Sequence, residues 1–370
     1  MTESLQSIIA EIHQAPHRLA LAITGGGSAA ISRLLGVPGA SRTVLEAIVP
    51  YHPQSLAEYL GGDPDQACSA KTARAMAMAA FQRARRLDKE TDQRFLLGLG
   101  ATAALSTDRD RRGENRVFVS VQSLASTREA SLVLAGGRTR AEEEALAATL
   151  IVDLLAEACG LPADLLLSQN SQDEFHEHVT AGKPEWQALL AGQILSTAVA
   201  TQPPQALFPG AFNPLHDGHR TMIRLARDLL DCPVSLEISA FNVDKPPLDY
   251  FDMAHREAVV GGEYPLVFTH APTFVEKSAL FPGIPFVVGV DTIKRIAQPR
   301  YYEDSELKCL RAIETIAERG NSFLVFGRRN DEVFETLDDL ELPAPLRAIC
   351  QGVEEAMFRH DISSSELRGS

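Results

Sequence analysis

Residues 210–219 read Gly-Ala-Phe-Asn-Pro-Leu-His-Asp-Gly-His, and this stretch constrains the fold more than any other. The short apolar run Ala206–Phe208 precedes it, and an apolar-periodic segment, Arg220–Leu230, follows. That order predicts a strand, a glycine-containing turn and a helix N-terminus. The unpaired N–H groups and positive dipole end of such a terminus attract phosphate. Gly210 reads as the place where the backbone comes close to a ligand, because a Cβ there would collide with it. His216 and His219 fall about one helical turn apart and so face the same bound anion. The bland alternative is a loop with two incidental histidines, and the number of constrained positions weighs against it.

These residues resemble the nucleotidylyltransferase superfamily signature, roughly G-x-F-[ND]-P-x-H-x-G-H. The resemblance implies transfer of a nucleotidyl group from ATP or CTP to a phosphate or alcohol acceptor, with release of pyrophosphate. It places Gly210, Ala211, Phe212 and Asn213 at the nucleotide and makes His216 and His219 catalytic. It also implies in-line displacement without a covalent enzyme intermediate, so that catalysis is positioning plus charge stabilisation. Mg²⁺ would then arrive with ATP and bridge phosphate oxygens, with no protein metal cage.

Three further stretches bear on this chemistry. In Asp361–Arg368, Ser363 and Glu366 have capping-box spacing, which predicts a helix start. Its N–H groups with Ser363, Ser364 and Ser365 suit phosphate oxygens, and Arg368 adds charge. This stretch resembles the superfamily's second signature, ISS-T-x-[IL]-R, with Ser365 in the usual Thr place. Gly289 and Asp291 mark the carboxyl end of the predicted strand Pro285–Val290 and so belong at the crevice. They resemble the G-x-D of nicotinamide-mononucleotide adenylyltransferases; a plain helix cap at Asp291 is the equal alternative. Lys245, in Asn242–Pro247, is read as a catalytic cation or as a solvated lysine. Arg328 and Arg329 follow the strand Phe323–Phe326 and are expected at the same crevice.

The rest of the second half, from residue 206 to 370, carries candidate strands Ala206–Phe208, Val234–Ser239, Leu266–Thr269, Pro285–Val290 and Phe323–Phe326 with helices between them. That alternation predicts a Rossmann-like, doubly wound parallel sheet. In the first half, residues 1–160, strands Leu19–Thr24, Phe95–Gly100 and Val117–Val121 alternate with helices Lys71–Leu87 and Ala141–Cys159. Thr139 and Glu142 form a capping box before the last of these, and Gly160 and Pro162 stop it. The first half is therefore a second α/β domain. Residues 161–205 read as a connector with a helix around Trp186–Ala198.

Leu21–Tyr51 resembles the CinA C-terminal family, whose active members deamidate nicotinamide mononucleotide, and the similarity covers about Leu19–Gly160. The shared residues include Thr24, Gly25, Gly26, the run Val37–Ser41 and Tyr51. The resemblance implies a second candidate mononucleotide site at Thr24, Gly25, Gly26 and Tyr51. Active members carry Ser-Cys before Thr-Gly-Gly, where this chain has Ala22 and Ile23; the family's lysine appears as Leu56, and its T-G-I-A-G-P loop as Gly98–Thr102. Acyl transfer needs a nucleophile that alanine does not provide, so no amidase activity is expected. Mononucleotide binding and a pure scaffold remain equal readings of this domain.

The 370 residues carry a net charge of −14, which disfavours nucleic acid and anionic membranes as partners and leaves small nucleotides. The five cysteines are scattered, which fits reduced thiols in a cytoplasmic protein and gives no metal motif. No basic, apolar leader and no membrane-length apolar run is read. The CinA resemblance adds an expectation of homo-oligomers. The favoured function is a mononucleotide adenylyltransferase acting on nicotinamide or nicotinic acid mononucleotide. The alternatives are a pantetheine-phosphate or CTP-dependent transferase, a nucleotide hydrolase, and a nucleotide sensor without turnover.

Overall fold

The computed structural model describes residues 2–108, 113–162, 172–242, 245–330 and 333–358. The chain forms two compact units, Met1–Ala191 with Asp244–Asp252, and Gly192–Val243 with Met253–Ser370.

The first unit runs α1 (Thr2–Gln14), β1 (Arg18–Thr24), α2 (Ala29–Gly36), β2 (Val44–Ile48), α3 (Pro53–Leu60), α4 (Ala70–Leu87), β3 (Leu96–Ala104), β4 (Asn115–Gln122), β5 (Ser126–Leu134), α5 (Arg140–Ala158), β6 (Glu174–Ala181) and α6 (Pro184–Ala191). Its sheet has the order β2-β1-β3-β4-β5-β6. The ladders joining β2, β1 and β3 are parallel and the remaining three antiparallel. The sheet is mixed because β3, β4 and β5 succeed one another without a crossover helix. Leu19, Leu21 and Ile23 of β1 enter a core with α1, α2 and α5. The capping box of Thr139 and Glu142 opens α5 as expected.

Three findings refine the sequence reading. The stretch Gly98–Thr102 lies inside strand β3. Its two glycines let α4 approach: a Cβ on Gly98 would stand 2.0 Å from the Phe81 nitrogen, and one on Gly100 2.2 Å from the Ala73 carbonyl oxygen. The expected connector holds β6, the sixth strand of the first sheet. The helix expected over Trp186–Ala198 ends at Ala191, where Gly192 takes a left-handed φ of 76°. Trp186 is buried and stacks on Tyr250, their ring centroids 6.4 Å apart.

The second unit runs β7 (Ala206–Pro209), α7 (Asp217–Leu230), β8 (Val234–Ser239), α8 (Tyr250–Val260, which belongs to this unit from Met253 on), β9 (Leu266–Thr269), α9 (Phe274–Leu280), β10 (Pro285–Gly289), α10 (Val290–Ile296), α11 (Glu306–Glu318), β11 (Ser322–Phe326), β12 (Arg328–Asn330), β13 (Val333–Glu335), α12 (Ala344–Ala348) and β14 (Cys350–Gly352). The main sheet has the order β14-β11-β10-β7-β8-β9, and every neighbouring pair in it is parallel. This is the doubly wound sheet expected from the alternating pattern. Leu207, Phe286, Val288, Ile313 and Phe323 anchor its core. Strand order reverses between β10 and β7, and a doubly wound sheet opens its ligand crevice at such a point, beyond the strands' carboxyl ends. Among the described residues, no helix is long and apolar enough to cross a membrane.

Candidate active site

Two turns flank the reversal point: Gly210–Leu215 after β7, and Gly289–Asp291 after β10. The first leads into α7, with His216 as the N-cap residue and His219 in the first turn. The two imidazoles stack with centroids 3.7 Å apart and planes 27° from parallel. The His216 backbone N–H donates a long hydrogen bond, 3.4 Å, to His219 Nδ1. An accepting Nδ1 places the proton of a neutral ring on Nε2, so His219 offers one N–H donor. Phe208 and Phe212 meet His219 edge-on at 5.9 and 5.2 Å, which fixes its orientation.

Burial lowers the His219 pKa to about 4, with His216 and Arg220 adding to the shift. At neutral pH the ring is therefore uncharged. Above about 6.5 neither the native nor the unfolded ring is protonated. Between that value and about 4 the unfolded chain takes up a proton that the native chain refuses, so stability falls as pH falls through this window. In urea titrations from pH 7.5 to 4.5, His219→Asn should flatten the acid slope; an unaltered slope would refute the assigned shift.

Gly210 also has a packing reason within the protein. A Cβ there would stand 2.7 Å from Cζ of Phe212, so the glycine makes room for that ring. Phe212 itself has φ 45°, and the Asn213–Pro214 peptide is cis. Ala211 presents its carbonyl oxygen to Arg256 of α8, which donates through Nη1. Arg256 went unnoticed in the sequence because its partner is a main-chain atom and it belongs to no motif.

At the second turn Gly289 is the N-cap residue of α10. A Cβ at Gly289 would meet nothing closer than the Phe326 carbonyl at 3.9 Å, so protein packing alone does not demand a glycine there. Asp291 forms an ion pair with Arg328, the first residue of β12. Arg329 is exposed on the same strand. Lys294 pairs with Glu335 at 2.5 Å, joining α10 to β13. The reversal point thus carries a stacked histidine pair, its His219 ring neutral, on one side and an Asp–Arg pair on the other.

Lys245 lies in neither of these two turns. It is exposed and belongs to the segment grouped with the first unit, where a Cβ on Gly62 would meet its Cε at 3.7 Å. Nearby in that segment, Asp249 and Asp252 pair with Arg74 at 3.0 and 3.5 Å. Fully buried Tyr250 donates its hydroxyl to the Leu124 carbonyl at 2.6 Å. Ser363, Ser364, Ser365 and Arg368 lie outside the described residues. Among the described residues, no cluster of three or more His, Cys, Asp or Glu could hold a metal ion.

In the first unit, Thr24 donates to the Pro50 carbonyl at 2.9 Å, and Tyr51 is exposed. Ala22 is buried with Leu56, Leu60 and Met76. A Cβ on Gly25 would lie 1.9 Å from the Ala103 oxygen, so strand packing requires that glycine. The amides that follow are taken by a carboxylate of the chain itself. Glu144 of α5 accepts from the Gly27 N–H at 2.7 Å, the Ser28 hydroxyl at 3.1 Å and the Ala29 N–H at 3.0 Å. These hydrogen bonds outweigh burial and hold its carboxyl below the usual range. Glu144→Ala should cost the first unit about 1–2 kcal/mol, the value of a charged cap at a helix start. Thermal unfolding measures this, and no loss would show the contact to be incidental.

Residues 207–370 match the family model described as cytidylyltransferase-like. The N-terminal region is similar to solved structures of competence/damage-inducible proteins. One, CihA from Agrobacterium tumefaciens, is 18% identical with a TM-score of 0.36, covering 42% of this chain and 94% of its own. A CinA superfamily protein from Escherichia coli is 19% identical with a TM-score of 0.31, covering 41% and 82%. Competence damage-inducible protein A from Klebsiella pneumoniae is 14% identical with a TM-score of 0.34, covering 42% and 95%. No curated protein matches the chain.

Proposed function

We propose that the second unit is a nucleotidylyltransferase that moves AMP from ATP to nicotinamide or nicotinic acid mononucleotide and releases pyrophosphate. The observation that carries this reading is the stacked His216–His219 pair at the start of α7, beside the reversal of strand order. The cytidylyltransferase-like match supports the reaction class. The choice of AMP and of a mononucleotide acceptor rests on the two resemblances in the sequence.

In this reaction an acceptor phosphate oxygen attacks the α-phosphorus of ATP as the bond to pyrophosphate breaks. Charge builds on the transferring phosphate and on the leaving group. The Nε2–H of His219 and the amides at the start of α7 donate to that charge without reorganising. Mg²⁺, brought by the nucleotide rather than held by a protein cage, would supply charge neutralisation at the phosphates. A neutral imidazole suits this role, since it donates a hydrogen bond without fixing the triphosphate by a full charge in the ground state. For the first unit, the hold of Glu144 on the amides of Gly27 and Ala29 favours a scaffold over a mononucleotide site at Thr24, Gly25, Gly26 and Tyr51.

The test is pyrophosphate release with Mg²⁺ and ATP or CTP, against nicotinamide mononucleotide, nicotinic acid mononucleotide, 4′-phosphopantetheine and no acceptor. A dinucleotide of the expected mass, formed only with ATP and a mononucleotide, supports the proposal. Release without an acceptor indicates a hydrolase. Nucleotide binding without release indicates a sensor.

A further inference from the structure

A buried ion pair lies one strand away from the histidine turn, and none of the chemistry above uses it. Glu237 of β8 is 1% exposed and Lys277 of α9 is 4% exposed. Lys277 Nζ donates to Glu237 Oε1 at 2.7 Å and to the Ala271 carbonyl oxygen at 2.7 Å. The Thr269 hydroxyl, at the end of β9, donates to the same carboxylate oxygen. The other oxygen, Oε2, is buried with no hydrogen-bond partner among the described residues.

Such a pair is poorly suited to stability alone. Withdrawing two charges from water is costly, and well-packed apolar replacements are often as stable or more so. The pair's location gives it another role. Glu237 stands opposite Pro209 in the β7–β8 ladder. Its carbonyl oxygen accepts from the Gly210 N–H at 2.9 Å, so the first residue of the histidine turn hangs from the Glu237 backbone. The side chain then ties that point to β9 through Thr269 and to α9 through Lys277.

We infer that Glu237 and Lys277 are positioning residues that hold the turn from Gly210 to His216, and through it the His216–His219 pair, at the place where the phosphate reacts. Their charges fix direction. An apolar pair of equal volume fills the same space without tying the Glu237 side chain to Thr269 and α9. This rests on the transferase reading for its effect on turnover, while the restraint on the turn is independent of it.

The test variant is E237M/K277M, which removes both charges together and leaves neither ion unpaired. We expect it to melt within a few degrees of the wild type, to keep KM for ATP within about threefold, and to lose roughly 10–100-fold in kcat. Misplacing a reacting group by about 1 Å accounts for a loss of that size. Hydrogen exchange of the unliganded protein supplies a readout free of turnover: the amides of Gly210–His216 should exchange faster in the variant. A folded variant with unchanged kcat and unchanged exchange at the turn would overturn the inference. A silent wild type refutes the transferase reading instead, and exchange alone then decides the restraint. Should the double variant fail to fold, T269V keeps the ion pair and removes one tie. It should lower kcat several-fold at constant KM and speed exchange at the turn; no change in either overturns the proposal.

Discussion

His219→Ala should lower kcat for pyrophosphate release by about 10²–10³, the usual loss on removing one preorganised donor from a developing oxyanion. KM for ATP should stay within a few-fold, because the α7 amides and the rest of the crevice still bind the triphosphate. That split marks an interaction made in the transition state rather than in the ground state. His216→Ala should cost less, since His216 also acts through its neighbour. Its ring lies 3.7 Å from that of His219 and helps to keep His219 neutral. The double variant should be scarcely slower than His219→Ala, as expected for groups that act as a unit. Steady-state kinetics with calorimetric ATP binding would check all three. Unchanged turnover in His219→Ala would remove the histidine pair from the mechanism and with it the observation on which the function rests.

The parts of this molecule that could be read from the residues are those where local pattern and burial agree. Val234–Ser239 and Leu266–Thr269 are short apolar runs inside a parallel sheet, and the strands have those bounds. Thr139 and Glu142 announced a helix start, and both capping hydrogen bonds are present. The strand β6, Glu174–Ala181, was illegible because it sits at the sheet edge with almost every residue exposed, so no apolar alternation marks it. Glu144 was illegible for another reason. It meets Gly27 across 117 residues of chain, and its own position on α5 looks like any solvated glutamate. Arg256 and Lys277 share that property: their partners are set by how helices pack, and the sequence carries no spacing that records it. Within the site, then, the turn and its histidines could be read, while the groups that hold the turn came only from the structure.

The largest structural effect should come from Gly98→Ala. The glycines at 98 and 100 are alternate residues of β3 and so face the same side, toward α4. Ala73, Ala77 and Phe81 recur at every fourth position of α4 and put main-chain atoms against those glycines. A Cβ at Gly98 would meet the Ala77 carbonyl at 2.2 Å and the Phe81 nitrogen at 2.0 Å, both backbone atoms that no rotamer change can move. The helix must lift, and Phe81, fully buried, lifts with it. Overpacking a core by one methyl costs about 1–3 kcal/mol when side chains can yield. Here only backbone can yield, so about 3 kcal/mol or more is expected, a fall in melting temperature of roughly 10 °C for a unit of this size. Gly36→Ala is the control. It closes α2, a Cβ there meets nothing within 4 Å, and it should be neutral or slightly stabilising. If Gly98→Ala melts like Gly36→Ala, α4 does not lie against β3 as closely as these distances require. If it melts far lower, the glycines of this stretch serve strand-to-helix packing. Their likeness to a ligand loop is then a likeness of sequence alone.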